Sequence, residues 1–226
     1  MDVQLLKQLA QARDKRMAVA VLTDLATAEQ ELVTRRYAGE HALAAQLDEA
    51  FRFDKSGVVS TDNGEIFIHV HNPALRLVII GAVHIAQAVA PMARQAGYDI
   101  TVIDPRGAFA TAERFPGVTL HADWPDEVLP GMALDARTAF IALTHDPKID
   151  DPALTIALGS ECFYIGALGS KKTQAARHER LKAAGLDPTR ICGPIGLDIG
   201  ARGAPEIAIS IMAEMTRHLR LSGGKS

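Results

Sequence analysis

From Arg76 onward the chain alternates short apolar runs with helical stretches, and no other feature constrains its fold as strongly. Leu77 to Ile80 reads as a buried strand, followed by a helix that runs to Gln95 and stops at Gly97. Ile100 to Ile103, Val118 to Leu120, Ala139 to Leu143 and Phe163 to Ile165 read as further strands. Asp151 to Gly159 predicts a helix with Asp151 as N-cap and Pro152 at its first position. Ser170 to Ala184 is the next helix. Pro205 to Leu219 is the last, with Ile207, Ile211, Met215 and Leu219 along one face. The alternation predicts a doubly wound, mainly parallel, Rossmann-like α/β sheet over residues 75–226. Pro91 predicts a kink in its first helix.

Residues 1–74 follow another pattern and predict a small α+β module. A helix to Ala12 precedes strands at Met17 to Thr23 and Glu31 to Arg35. Leu43, Leu47 and Phe51 mark a short amphipathic helix. Gly57 to Thr61 and Glu65 to His71 then form a hairpin around Asp62-Asn63-Gly64, and Asn72-Pro73 closes the module. With 48% apolar and 23% charged residues, the chain is not of the disordered class. No apolar run reaches the ~18 residues of a membrane span. Charges scattered through Met1 to Arg16 do not fit a signal peptide. Two cysteines, Cys162 and Cys192, suit a reducing cytoplasm better than a disulfide framework.

A net charge of −3 argues against nucleic-acid binding. Its distribution is uneven, because the last third of the chain is basic and the rest acidic. Six bases fall between Lys171 and Arg190. A local basic patch on an acidic protein suits one small anionic ligand.

In a doubly wound sheet ligands bind beyond the carboxyl ends of the strands, so the residues there are the candidates. After the first strand, Gly81 and Ala86 meet the dinucleotide fingerprint, but Val83 stands where its middle glycine should be. Asp104 ends the second strand, where such folds keep a ribose-binding acid; the alternative is a tight turn at Gly81 and a loop cap at Asp104. His145 and Asp146 follow a strand and could ligate a metal or move protons, whereas Asp150 and Asp151 read as an N-cap cluster. Gly166-Ala167-Leu168-Gly169-Ser170-Lys171-Lys172 opens a helix. Glycines there allow a nest of backbone N–H groups for a phosphate, to which Ser170 adds a hydroxyl and the lysines add charge. The alternative is an N-cap serine beside solvated lysines. Gly193 to Gly200, containing Gly196 and Asp198, is a stiff apolar loop that packs against a ligand or against the domain's own edge.

Taken together, these segments resemble the C-terminal Rossmann domain of the XdhC/CoxI family over Arg76 to Met215. The resemblance rests on Gly81-Ala82-Val83-His84, Asp104-Pro105-Arg106, Arg114-Phe115-Pro116, Thr144-His145-Asp146, Tyr164 to Ser170, Pro194 to Asp198, and Pro205-Glu206-Ile207-Ala208 running to Ala213-Glu214. Residues 1–74 resemble the N-terminal module of short, CoxI-like members. The resemblance implies a cytoplasmic accessory protein rather than a metabolic enzyme. Such a protein binds the molybdenum cofactor, a molybdopterin with a phosphate tail. It matures the cofactor and inserts it into a client of the xanthine dehydrogenase or carbon monoxide dehydrogenase type.

Residues and resemblance together place Gly81, His84, Asp104, Arg106, His145, Asp146, Gly166, Gly169, Ser170, Lys171, Lys172, Gly196 and Asp198 in the cofactor-binding set. No catalytic residue is expected, and Cys192 is the one candidate ligand for molybdenum or sulfur. A sulfur-donor partner and a homodimer are allowed; NAD(P), nucleic acid and a membrane are not expected. Two rival readings stand beside this one. The first is a nicotinamide oxidoreductase using Gly81, Asp104 and Arg106, against which Val83 counts. The second is a nucleotide-sensing module.

Overall fold

The computed structural model describes residues 3–221. The chain divides into two compact units, Met1–Pro73 and Ala74–Ser226. The first contains α1 (Val3–Asp14), β1 (Val19–Asp24), β2 (Gln30–Thr34), α2 (Ala44–Phe53), β3 (Gly57–Thr61) and β4 (Gly64–His71). Its four strands form an antiparallel sheet in the order β2-β1-β4-β3. The β3–β4 hairpin pairs Thr61 with Gly64, so the chain turns at Asp62 and Asn63 as their turn chemistry requires. Helix α2 buries Leu47, Ala50 and Phe51 against Ala20, Leu22, Val33 and Ile68. The Asn72 amide donates to the carbonyl of Phe51 at 2.8 Å and ties the end of the unit to α2.

The second unit begins with β5 (Leu75–Ile80), α3 (His84–Gln95), β6 (Tyr98–Ile103), β7 (Thr119–His121) and the short α4 (Pro125–Val128). It continues with β8 (Thr138–Ala142), α5 (Pro147–Leu158), β9 (Tyr164–Ala167), α6 (Lys171–Ala183), β10 (Ile191–Cys192) and α7 (Ala204–Leu221). The six strands are all parallel, in the order β10-β9-β8-β5-β6-β7. Chain growth starts in the middle of the sheet at β5, proceeds to β7, then crosses to β8 and runs outward the other way. The direction reverses between β5 and β8, which is where a doubly wound sheet opens a ligand crevice.

Alternation along the strands builds two cores. Leu77 and Ile79 of β5 and Ile141 of β8 join Val89 of α3 and Ile211 and Met215 of α7. Val78 and Ile80 of β5 and Phe140 of β8 face the opposite way, toward Ala153, Leu154 and Ala157 of α5. Strands buried on both faces explain the unbroken apolar runs in the sequence.

One local expectation needs correction. Helix α5 starts at Pro147 with Asp146 as its cap, not at Asp151. Asp146-Pro147 and Asp151-Pro152 carry the same start signal. The earlier pair prevails, leaving Pro152 inside the helix at the expense of one backbone hydrogen bond. Helix α3 runs unbroken through Pro91. The sixth strand, only two residues long, was too short to leave a pattern. Among the described residues, no helix is long and apolar enough to cross a membrane. Phe140 has no exposed surface at the centre of the sheet. Phe140→Ala should therefore cost about 3–5 kcal/mol, read as a lowered urea midpoint.

Candidate functional site

At the reversal point, where a doubly wound sheet opens its crevice, stand the loops that follow β5 and β8. On the β5 side Gly81 sits at φ +102°, a conformation that a side chain makes costly. A Cβ there would also stand 2.7 Å from the Thr144 methyl, so glycine is required for the two loops to approach. Val83 has extended backbone as the N-cap of α3, and its half-buried side chain packs on the α3–α7 core. The missing glycine therefore creates no backbone strain. His84 is exposed at the first position of α3.

Beside this loop lies Asp104, which is fully buried. It accepts from the backbone N–H of Ala82 at 2.8 Å and from that of Arg106 at 3.0 Å. The Arg106 guanidinium grips both of its oxygens, at 2.9 and 2.8 Å. Burial alone would raise this carboxyl. The Arg106 guanidinium and the two N–H donors outweigh burial and hold it below the ordinary carboxylate range. Asp104 has no surface to offer a ribose. What it presents to the crevice is Arg106, whose side chain is 40% exposed.

The β8 side depends on a second buried acid. Asp150, in the first turn of α5, is fully buried and accepts from the Thr144 hydroxyl at 2.6 Å. It also accepts from the N–H of Thr144 at 3.3 Å and of His145 at 3.1 Å. Burial pushes its carboxyl up, against the pull of Thr144 and Arg177. These bonds hold exposed His145 at φ +64°, an uncommon conformation for a side-chain-bearing residue. Asp146 caps α5, accepting from the Lys148 N–H at 2.9 Å. The N-cap role expected for Asp150 and Asp151 thus belongs to Asp146, and Asp150 shapes the loop from below.

The β9 loop joins the same network. Arg177 of α6 is buried beside Asp150 at 3.4 Å and also donates to the Leu168 carbonyl and the Gln174 side chain. Gln174 in turn donates to the Ala167 carbonyl at 2.8 Å. Gly169, at φ +140°, turns the chain into α6, and Ser170 caps that helix by accepting from the Thr173 N–H. Lys171 and Lys172 stand exposed in the first turn, which contains no acid. The basic patch read from the sequence shrinks to fewer residues. Arg177 is internal, Arg180 pairs with Asp151, and Arg190 donates to the carbonyls of Leu158, Ser160 and Cys162.

The Gly193 to Gly200 loop packs on the domain's own edge. A Cβ on Gly166 would strike Ile195 at 2.6 Å, so Gly166 serves that packing. Gly196 donates its N–H to Glu214 of α7, which also accepts from the Tyr164 hydroxyl at 2.6 Å. Asp198 is exposed on this loop. Cys192 lies 3.5 Å from His218, and burial together with Glu214 pushes its thiol up to about 11. It is therefore a neutral thiol at neutral pH, and ligation of a metal would have to release its proton. No cluster of His, Cys, Asp and Glu suited to a metal ion occurs among the described residues.

The β5, β6, β8 and β9 loops thus place Gly81, His84, Asp104, Arg106, His145, Asp146 and Gly169 to Lys172 at one end of the sheet. Gln174 and Arg177, which with Asp150 hold the β8 and β9 loops together, escaped sequence reading, and Asp150 read only as part of an N-cap cluster. Asp150 and Arg177 are 27 residues apart and share no local pattern.

Comparison with known proteins gives this arrangement a family. Residues 77–215 match the XdhC Rossmann domain. A Bacillus subtilis protein named as a probable subunit of xanthine dehydrogenase is 32% identical over 151 residues, covering 66% of this chain and 44% of its own. The molybdenum cofactor insertion chaperone PaoD of Escherichia coli is 34% identical over 146 residues, covering 63% of this chain and 40% of its own. The chain spans less than half the length of these relatives. A crystal structure described as a xanthine dehydrogenase from Bacillus halodurans superposes with a TM-score of 0.70 at 25% identity, covering 99% of this chain and 67% of that one. With more than half of its residues matched to the XdhC Rossmann domain, this chain belongs to the XdhC family.

Proposed function

We propose that this chain binds the molybdenum cofactor at the crevice between β5 and β8 and carries it to a molybdoenzyme of the xanthine dehydrogenase or carbon monoxide dehydrogenase type. The observation that carries this reading is the start of α6. Two exposed lysines stand there at the positive end of the helix dipole, where like charge is unfavourable and an anion would offset it. Ser170 takes the Thr173 N–H, which leaves the first N–H groups of the helix to a ligand or water. A phosphate tail is an anion of the right size for such a turn. The insertion chaperone among the relatives supports the choice of cargo. A nicotinamide oxidoreductase is the weaker reading, because both oxygens of Asp104 already carry Arg106. Self-association and a sulfur-donor partner belong to the same proposal.

Deleting the gene should leave the client polypeptide present but cofactor-poor and inactive. A fully active, molybdenum-replete client in the deletion strain would overturn the reading. Lys171→Ala/Lys172→Ala should weaken binding of a phosphorylated pterin several-fold and flatten its salt dependence, with little change in thermal stability. Ser170→Ala should in addition cost about 1 kcal/mol of stability, because it removes a helix cap.

The Asp104 pair makes a pH-dependent prediction. A carboxyl held below its unfolded value stabilises the fold above that value, and this contribution is lost as pH falls through the folded one. Asp104→Asn should cost ~1–3 kcal/mol at pH 7, since the part-exposed Arg106 can return to water. The gap between wild type and variant should close as pH drops below about 4 in a chemical-denaturation series.

A further inference from the structure

The loop after β6 carries an exposed aromatic ring that no core contact explains. Phe109 is 45% exposed, yet its ring is flanked by two guanidinium groups. That of Arg106 lies 4.9 Å from the ring centroid and that of Arg114 at 5.6 Å. Neither arginine is loosely placed. Asp104 fixes Arg106 through two parallel hydrogen bonds. Arg114 donates to the Phe109 carbonyl at 2.7 Å and to the Gln87 side chain of α3 at 3.0 Å, and it also meets the buried Phe115 ring at 5.7 Å. Local turns hold the segment itself, the Phe109 N–H donating to the Arg106 carbonyl and the Arg114 N–H to that of Thr111. The result is a hydrogen-bonded ladder of cations and rings in which the Phe109 ring is part-exposed.

A planar, electron-rich heterocycle is the chemistry this ladder fits, because rings stack on an aromatic face and on guanidinium planes alike. The β6 loop and the start of α6 lie on opposite flanks of the crevice, three inter-strand steps apart, or about 14 Å. We infer that Arg106, Phe109 and Arg114 form a stacking subsite for the ring end of the cargo, opposite the lysines that take its phosphate. This inference rests on the reading under Proposed function and adds an orientation: ring over β6, phosphate at α6.

The test is a fluorescence titration of the full chain with two probes, a pterin bearing a side-chain phosphomonoester and the same pterin without it. Phe109→Ala should weaken both about tenfold and leave the salt slope unchanged. Lys171→Ala/Lys172→Ala should weaken only the phosphorylated probe. Phe109→Trp should retain binding and Phe109→Leu should not, which separates the ring from mere apolar bulk. If Phe109→Ala binds both probes like wild type while the lysine variant still discriminates them, the subsite is overturned and the proposed function stands. Loss of the phosphorylated probe alone on Phe109→Ala also overturns it, since the ladder would then read phosphate. A wild-type chain that binds neither probe overturns both proposals.

Discussion

The carboxyl end of the parallel sheet depends on a buried carboxylate, Asp150, which joins two loops that the sequence separates. It fixes Thr144 and His145 by direct hydrogen bonds, and through Arg177 it reaches the Leu168 carbonyl at the end of β9. A buried charge is costly unless paired and fully bonded, and here its partners come from the β8 loop and α6 together. Loss of either partner would leave the other charge stranded in the interior. The network therefore fixes where the β8 and β9 loops lie more than it adds to net stability.

Asp104 repeats the device on the other flank. Each acid is fully buried at the carboxyl end of the sheet, each accepts N–H groups from a crevice loop, and each holds one guanidinium. The two differ in the fate of the arginine. Arg177 is 2% exposed and works entirely inside, whereas Arg106 is 40% exposed and turns its outer edge toward solvent. One pair builds the frame and the other also presents a charge. Arg106 feels Asp146 and Asp150 electrostatically, so the two flanks are not independent.

The parallel sheet was legible because its strands are buried on both faces and read as apolar runs, as with Leu77 to Ile80 and Ala139 to Leu143. The Asp-Asn-Gly hairpin was legible because its turn has few chemical solutions. What could not be read were interactions whose partners are distant in the chain. Arg177 looked like one more base in a helix full of them, and only the tertiary structure shows it buried against Asp150. The start of α5 failed for a local reason, two Asp-Pro pairs five residues apart offering the same cap. For Phe109 the sequence does hold a signal: an aromatic ring between Arg106 and Arg114 in a loop at the carboxyl end of a strand.

The division of charge across the crevice also suits the difference between carrying a cofactor and using one. An enzyme that keeps its cofactor gains from enclosing it among buried, bonded groups. In the proposed carrier the buried charges serve the loops, and the groups proposed to meet the ligand are two exposed lysines, a part-exposed arginine and one part-exposed ring. Exposed charges attract a phosphate at long range but hold it weakly once it is bound, because water and salt screen them. A ring stacked at the rim can leave without unfolding a loop. Binding of this kind combines rapid capture with easy release, and release to a second protein is the step a carrier must not obstruct.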